Sequence, residues 1–294
     1  MQHSCLYHRD SIGNSTKNAV NTIKTNIENR NREAERKPYN PLFAEDISDS
    51  IFIMSKLIHV TEMDKKRAAS AVCQGSIGYI SESNDVKVVN IFKDHINRFG
   101  ITLFPDNDSS LYYVDPCDPS LYIALNDYFS HLKIVRVNEL QKIAQDLGAK
   151  HFRVTYRDLS SSSSDSSASV KLGATIKKIG NTNEVSRQTF AAQANAVEVA
   201  AEMDCPGHEP CEPTLCYLQK DPSIQSLITL RMDPASPLSH QKYTLQLSNS
   251  SGIKAYDAKK LDTAIRALKL SAGTTVESEV HKESQRFFEY EIDF

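Results

Sequence analysis

The residues best suited to do chemistry lie in DCPGHEPCEPTLC, where Cys205, His208, Cys211 and Cys216 are spaced C-x2-H-x2-C-x4-C. Three thiolates and an imidazole this close together suit a tetrahedral zinc ion. With all four positions filled by protein, such a site is a structural staple with no open position for catalysis. The spacing departs from the standard finger patterns. Pro206, Gly207, Pro210 and Pro213 equally describe an exposed connector that carries cysteines.

A second group, Asp106, Asp108, Asp115 and Asp118 in PDNDSSLYYVDPCDP, has the acidic character of a divalent-cation loop. The prolines and the Asp118-Pro119 pair explain it more simply as turns and a helix start. His95, His131 and His151 fall in ordered segments, and nothing in sequence pairs them with a nucleophile or an orienting carboxylate. The chain has no Gly-rich phosphate loop, HExxH, GxSxG or kinase signature, so no catalytic or cofactor-binding residue is assigned.

These groups must be held by a chain of 294 residues, 40% hydrophobic and 24% charged, without tryptophan. That is enough for a substantial core. With 34 basic and 37 acidic side chains the net charge is −3, which gives no reason to expect nucleic acid as a partner. No apolar run has the length of a signal peptide or a membrane helix, so a cytoplasmic location is expected. Six cysteines are too sparse for a disulfide framework, and that compartment argues against one.

Four regions follow. Residues 1–46 are a polar N-terminal tail or helix, with Val20, Ile23 and Ile27 at helical spacing. Residues 47–204 form an α+β half. Its elements are a short helix over 62–73, strands at 77–80, 86–92, 101–104 and 111–114, and a helix started by Asp118-Pro119. A further helix, capped by Asn138 and ended by Gly148, leads into an alternating strand over 151–157. A serine-rich connector occupies 160–169, where eight of ten residues are serine. Val170, Leu172, Ala174 and Ile176 then alternate with polar residues, Gly180-Asn181 marks a turn, and 185–203 fits helix or strand.

Residues 205–220 are a Cys/Pro-rich linker. Residues 221–294 form a second α+β half: a helix from Asp221-Pro222, a strand through Tyr243 and Leu245, a helix over 257–271, and one long strand over 276–294. The alternation of Val276, Ser278, Val280, Lys282, Ser284, Arg286, Phe288, Tyr290 and Ile292 predicts that last strand. The fold class is therefore α+β, mostly antiparallel sheet with flanking helices.

Charge is segregated within the small total. Residues 133–190 carry ten basic and five acidic side chains, whereas 198–221 carry one basic and six acidic. Such surfaces suit a protein partner, self-association or an anionic membrane surface. The two rounds of strand, polar connector and alternating segment, at 169–203 and 241–294, resemble in layout the inserted hairpins of gasdermin-like and perforin-like pore formers. No signature motif accompanies that layout. The resemblance implies a non-enzymatic, self-assembling and membrane-permeabilising protein. The alternatives are a zinc-stapled binding or scaffold protein, and a hydrolase-type enzyme whose site is not visible in sequence. Sheet order separates them: two adjacent extendable hairpins point to the first, a single closed sandwich to the others.

Overall fold

The computed structural model describes residues 7–106, 110–159, 197–250, 252–270, 272–273 and 275–294. The expectations for the serine-rich connector at 160–169, for the strand over 170–176 and for 185–196 fall outside these residues. The fold is α+β, as the sequence predicts. It divides into two compact units, 1–82 with 87–101 and 83–86 with 102–294. Strands from both sides of the Cys/Pro-rich stretch at 205–220 join one sheet in the second unit.

The first unit begins with α1 (Tyr7–Arg36), on which Ile23 and Ile27 are exposed. β1 (Pro41–Leu42), α2 (Ala44–Ser48), β2 (Leu57–Thr61), α3 (Lys65–Ala68), β3 (Gly78–Ser83) and β4 (Val86–Phe92) follow, with the strands ordered β1-β3-β4-β2. The helix expected over 62–73 is shorter: Asp64 caps only α3, and Ala71–Cys73 forms a separate 3-10 turn. Leu57, Ile58, Val88, Val89 and Ile91 make the core. Gly78 is required where β3 lies against its neighbour β4, since a Cβ there would lie 2.2 Å from the Asn90 carbonyl oxygen.

The second unit opens with β5 (Thr102–Phe104), β6 (Leu111–Val114) and β7 (Leu121–Ala124), with β7 antiparallel to β6 and parallel to β5. Asp118-Pro119 starts no helix. The Asp118 carboxylate accepts the Ser120 N–H and hydroxyl, closing a turn that sends Leu121–Ala124 into the sheet. α4 (Tyr128–Asp146) therefore begins ten residues before Asn138, and its inward face is Leu132, Arg136, Leu140, Ile143 and Ala144. Gly148 then takes φ +75° and turns the chain into β8 (His151–Asp158).

β9 (Val197–Asp204), α5 (Pro222–Arg231), β10 (His240–Gln246), α6 (Ala255–Ala267), α7 (Val276–Glu283) and β11 (Arg286–Asp293) complete the unit. Asp221 caps α5 as the sequence predicts, accepting from the Ser223 N–H at 2.9 Å. The long strand expected over 276–294 is divided: its first eight residues are helix α7, and only 286–293 is strand. The physical reason lies on α6. The buried Asp262 carboxylate accepts the N–H groups of Val276 and Glu277, both at 2.9 Å, and so caps a helix whose own N-cap residue, Thr275, makes no side-chain cap hydrogen bond.

Candidate functional site: one end of a four-stranded sheet

Four strands of the second unit form an antiparallel sheet in the order β10-β11-β8-β9. One face is apolar: Phe152, Val154, Leu245, Phe288, Tyr290 and Ile292 pack on Leu140, Ile143 and Leu147 around α4 and on Ile224 and Leu227 of α5. The opposite face carries cross-strand charge pairs, Arg157 with Glu289 at 2.8 Å and Lys242 with Glu291 at 2.9 Å. This alternation is the period-2 pattern of a half-buried sheet.

The register fixes where the connections leave. Asp158 at the end of β8 pairs with Arg286 at the start of β11; Arg157 pairs with Val197 at the start of β9, and Phe287 with Gln246 at the end of β10. Both connections, 159–196 and 247–285, thus depart from the same end of the sheet. At the other end, His240 Nδ1 lies 2.6 Å from Asp293 Oδ1 and His151 Nδ1 lies 2.7 Å from Asp204 Oδ1. The bond to Asp204 raises the pKa of His151 above its ordinary value.

An ionic network sits at the departing end. Arg136 of α4 is fully buried; its Nη1 donates to Glu283 Oε2 at 3.1 Å and its Nη2 to the Ser250 carbonyl at 2.7 Å. Burial lowers the Arg136 pKa, and the Glu283 carboxylate opposes that shift. Arg286 donates to Asp158 at 2.8 Å and to Glu283 Oε1 at 3.1 Å, and lies 3.5 Å from Glu279. The sequence reading missed Arg136 and Glu283, which are far apart in the chain. One signal was present: Arg136 stands four residues from both Leu132 and Leu140, on the apolar face of a helix.

Beside this network lies a cleft of about 1180 Å³, lined by Lys220, Lys254, Glu277, His281 and Ser284, among others. A disulfide between Cys117 and Cys216 forms part of its wall, with Cα atoms 5.9 Å apart. The expectation of no disulfide is corrected here. The turn that ends β6 carries Cys117, and Glu139 accepts the N–H groups of Cys216 and Leu218, which brings the linker within reach.

No family model, curated protein or solved structure matches this chain.

The four residues of the C-x2-H-x2-C-x4-C pattern are not brought together. Cys216 is bonded to Cys117, Cys211 Sγ donates to the Asp146 carbonyl at 3.2 Å, and His208 Nδ1 faces the Glu209 carbonyl. Cys205 is half-buried, with its N–H on the Lys150 carbonyl. The linker lies along the end of α4, so tightly that a Cβ on Gly148 would meet the His208 carbonyl oxygen at 1.9 Å. Among the described residues no group of three or more His, Cys, Asp or Glu side chains could hold a metal ion.

Of the acidic cluster, Asp108 lies outside the described residues, and Asp115 and Asp118 serve turns. Asp115 is buried and also accepts the Tyr217 hydroxyl at 3.1 Å. His131 Nε2 stands 3.9 Å from Asp115, and burial lowers the His131 pKa against the pull of that carboxylate. No helix among the described residues is long and apolar enough to cross a membrane.

Proposed function

We propose that this protein assembles with copies of itself and permeabilises membranes by lengthening its four-stranded sheet at the end where both connections leave. The carrying observation is the sheet order. β8–β9 and β11–β10 are neighbouring antiparallel pairs, and the chain between the members of each pair leaves at one common end. Extending both pairs would add four strands side by side without breaking an existing pairing.

The sequences of the connections support this reading. Each has about 40 residues, against the roughly 9–11 that a tilted membrane strand needs. Val170, Leu172, Ala174 and Ile176 alternate with polar residues, and Gly180-Asn181 offers a turn between two arms. In the second connection, α7 is helical here although Val276, Ser278 and Val280 continue the period of β11. A local pattern that disagrees with its observed element is expected where a segment serves two states. Lys282 and Arg286 share the apolar register, yet both lie next to the existing sheet, where the penalty for a charge facing lipid is smallest.

The edges favour assembly of one copy on the next. Three antiparallel steps make β9 and β10 run in opposite directions, so β10 of one copy can add to β9 of another as an antiparallel strand. β9 carries Glu198, Glu202 and Asp204, and β10 carries His240 and Lys242. The partners are then a second copy and an anionic membrane surface. The Cys117–Cys216 disulfide favours an oxidising setting over the cytoplasm suggested by the sequence. The test is dye release from anionic vesicles, together with sedimentation of the membrane-bound form. Leakage with ring or arc assemblies supports the reading; no leakage by the full chain or by nested truncations removes it.

A further inference from the structure

Resting on that reading, the structure assigns Arg136 the role of a clamp on both ends of the 247–285 connection in its folded form. One guanidinium holds Ser250, at the entry to the connection, and Glu283, at its exit. Arg286 extends the same network to Asp158, where the other connection begins. A single set of charges at the departing end therefore ties down the start of β11, the end of β8 and both limits of 247–285.

The chemistry fits a releasable fastening better than a permanent one. A fully buried ion pair is a poor source of stability, because desolvation offsets its Coulombic gain, and apolar residues of similar volume often hold a site as well. Its distinguishing property is that opening returns both charges to water. Between the clamped ends the connection is held by apolar packing and by the Asp262 cap on α7. Ala258, Leu261, Ala264 and Ile265 of α6 and Val276 of α7 are buried, and the Gly273 N–H donates to the Asn126 side chain at 3.0 Å. Gly252 takes φ +71°, and a Cβ there would come within 2.5 Å of the Tyr128 hydroxyl, so the connection enters close against α4. Those apolar side chains can exchange protein contacts for lipid, whereas the charges of Arg136 and Glu283 can exchange each other only for water. Breaking the pair is then the step that separates the folded connection from the extended one.

Hydrogen–deuterium exchange on the full chain tests this in the Glu283→Gln variant. Amides of α6 and α7 are expected to exchange at least tenfold faster than in the unaltered protein, while those of β8, β10 and β11 keep their rates. Arg136→Lys, whose single ammonium has less reach than the two-pronged guanidinium, is expected to fall between the two. Unchanged rates in α6 and α7, or equal acceleration throughout the sheet in both variants, overturn the clamp; in the second case the network supports the whole fold. The same variants are mixed with phosphatidylcholine–phosphatidylserine vesicles, where half-maximal leakage is expected at several-fold lower protein concentration. Selective acceleration with no leakage from any variant keeps the clamp and removes the membrane reading.

Discussion

Asp262→Ala should convert the start of α7 from a capped helix into a frayed one. The carboxylate is 4% exposed and accepts two N–H groups, those of Val276 and Glu277, at 2.9 Å each. A hydrogen bond to a charged acceptor contributes about 1.5–3 kcal/mol, and loss of a cap costs about 0.5–2 kcal/mol. The two effects overlap, since both count the same bonds. Val276 is buried, so its N–H would be left without water, whereas the exposed Glu277 can turn its own to solvent. The net loss is then about 2–4 kcal/mol, which for a unit of this size lowers the unfolding midpoint by about 5–15 °C. Asp262→Asn keeps one acceptor oxygen and should lose about half as much. Thr263→Ala is the control: its hydroxyl bonds only the Lys259 carbonyl on an exposed turn, and the expected change is within about 0.5 kcal/mol. Thermal unfolding followed by circular dichroism measures all three. If Asp262→Ala melts with Thr263→Ala, the carboxylate is not what makes 276–283 helical, and the reasoning fails.

Tyr290→Phe should stabilise the protein by about 1–2 kcal/mol in urea unfolding, because the fully buried hydroxyl has no hydrogen-bond partner among the described residues. The edge-to-face contacts of that ring with Phe152 and Tyr243 would remain. His151 gives a pH dependence of known sign. Its pKa is raised in the folded state by Asp204, so its contribution is full below the ordinary histidine value and is lost as pH rises through the raised one. The stability gap between the unaltered protein and His151→Asn should therefore shrink between pH 5.5 and 8.5; a constant gap contradicts it. Reducing the Cys117–Cys216 bond, which closes a loop of 99 residues, should cost up to about 4–5 kcal/mol on chain-entropy grounds, read as a lower urea midpoint in dithiothreitol.

Much of the second unit was legible wherever a local signal had no competitor. The alternation from His151 onward, the glycine before it and the Asp221-Pro222 cap produced β8 and α5 close to where they were expected. The alternation over 276–294 misled for a definite reason: the deciding carboxylate, Asp262, stands on another helix. Asp118-Pro119 misled because the same two residues fit a turn, and pairing with β5 and β6 selects the strand that follows. The site was least legible. Arg136 meets Glu283 and Cys117 meets Cys216 only once the chain has folded, and Cys216 looked like a metal ligand while Cys117 was out of view.

The Cys117–Cys216 bond encloses α4, β8, the serine-rich tract and β9 within one covalent ring. A protease that cuts once inside 160–169 therefore opens the chain without dividing it. Both pieces should travel as one band on a gel until reductant is added, and then as two. Such a nick would create two new chain ends in the connection between β8 and β9 while leaving those strands bound to the same molecule. In an oxidising setting, such a cut leaves both pieces joined covalently through Cys117–Cys216 as well as by the β8–β9 pairing.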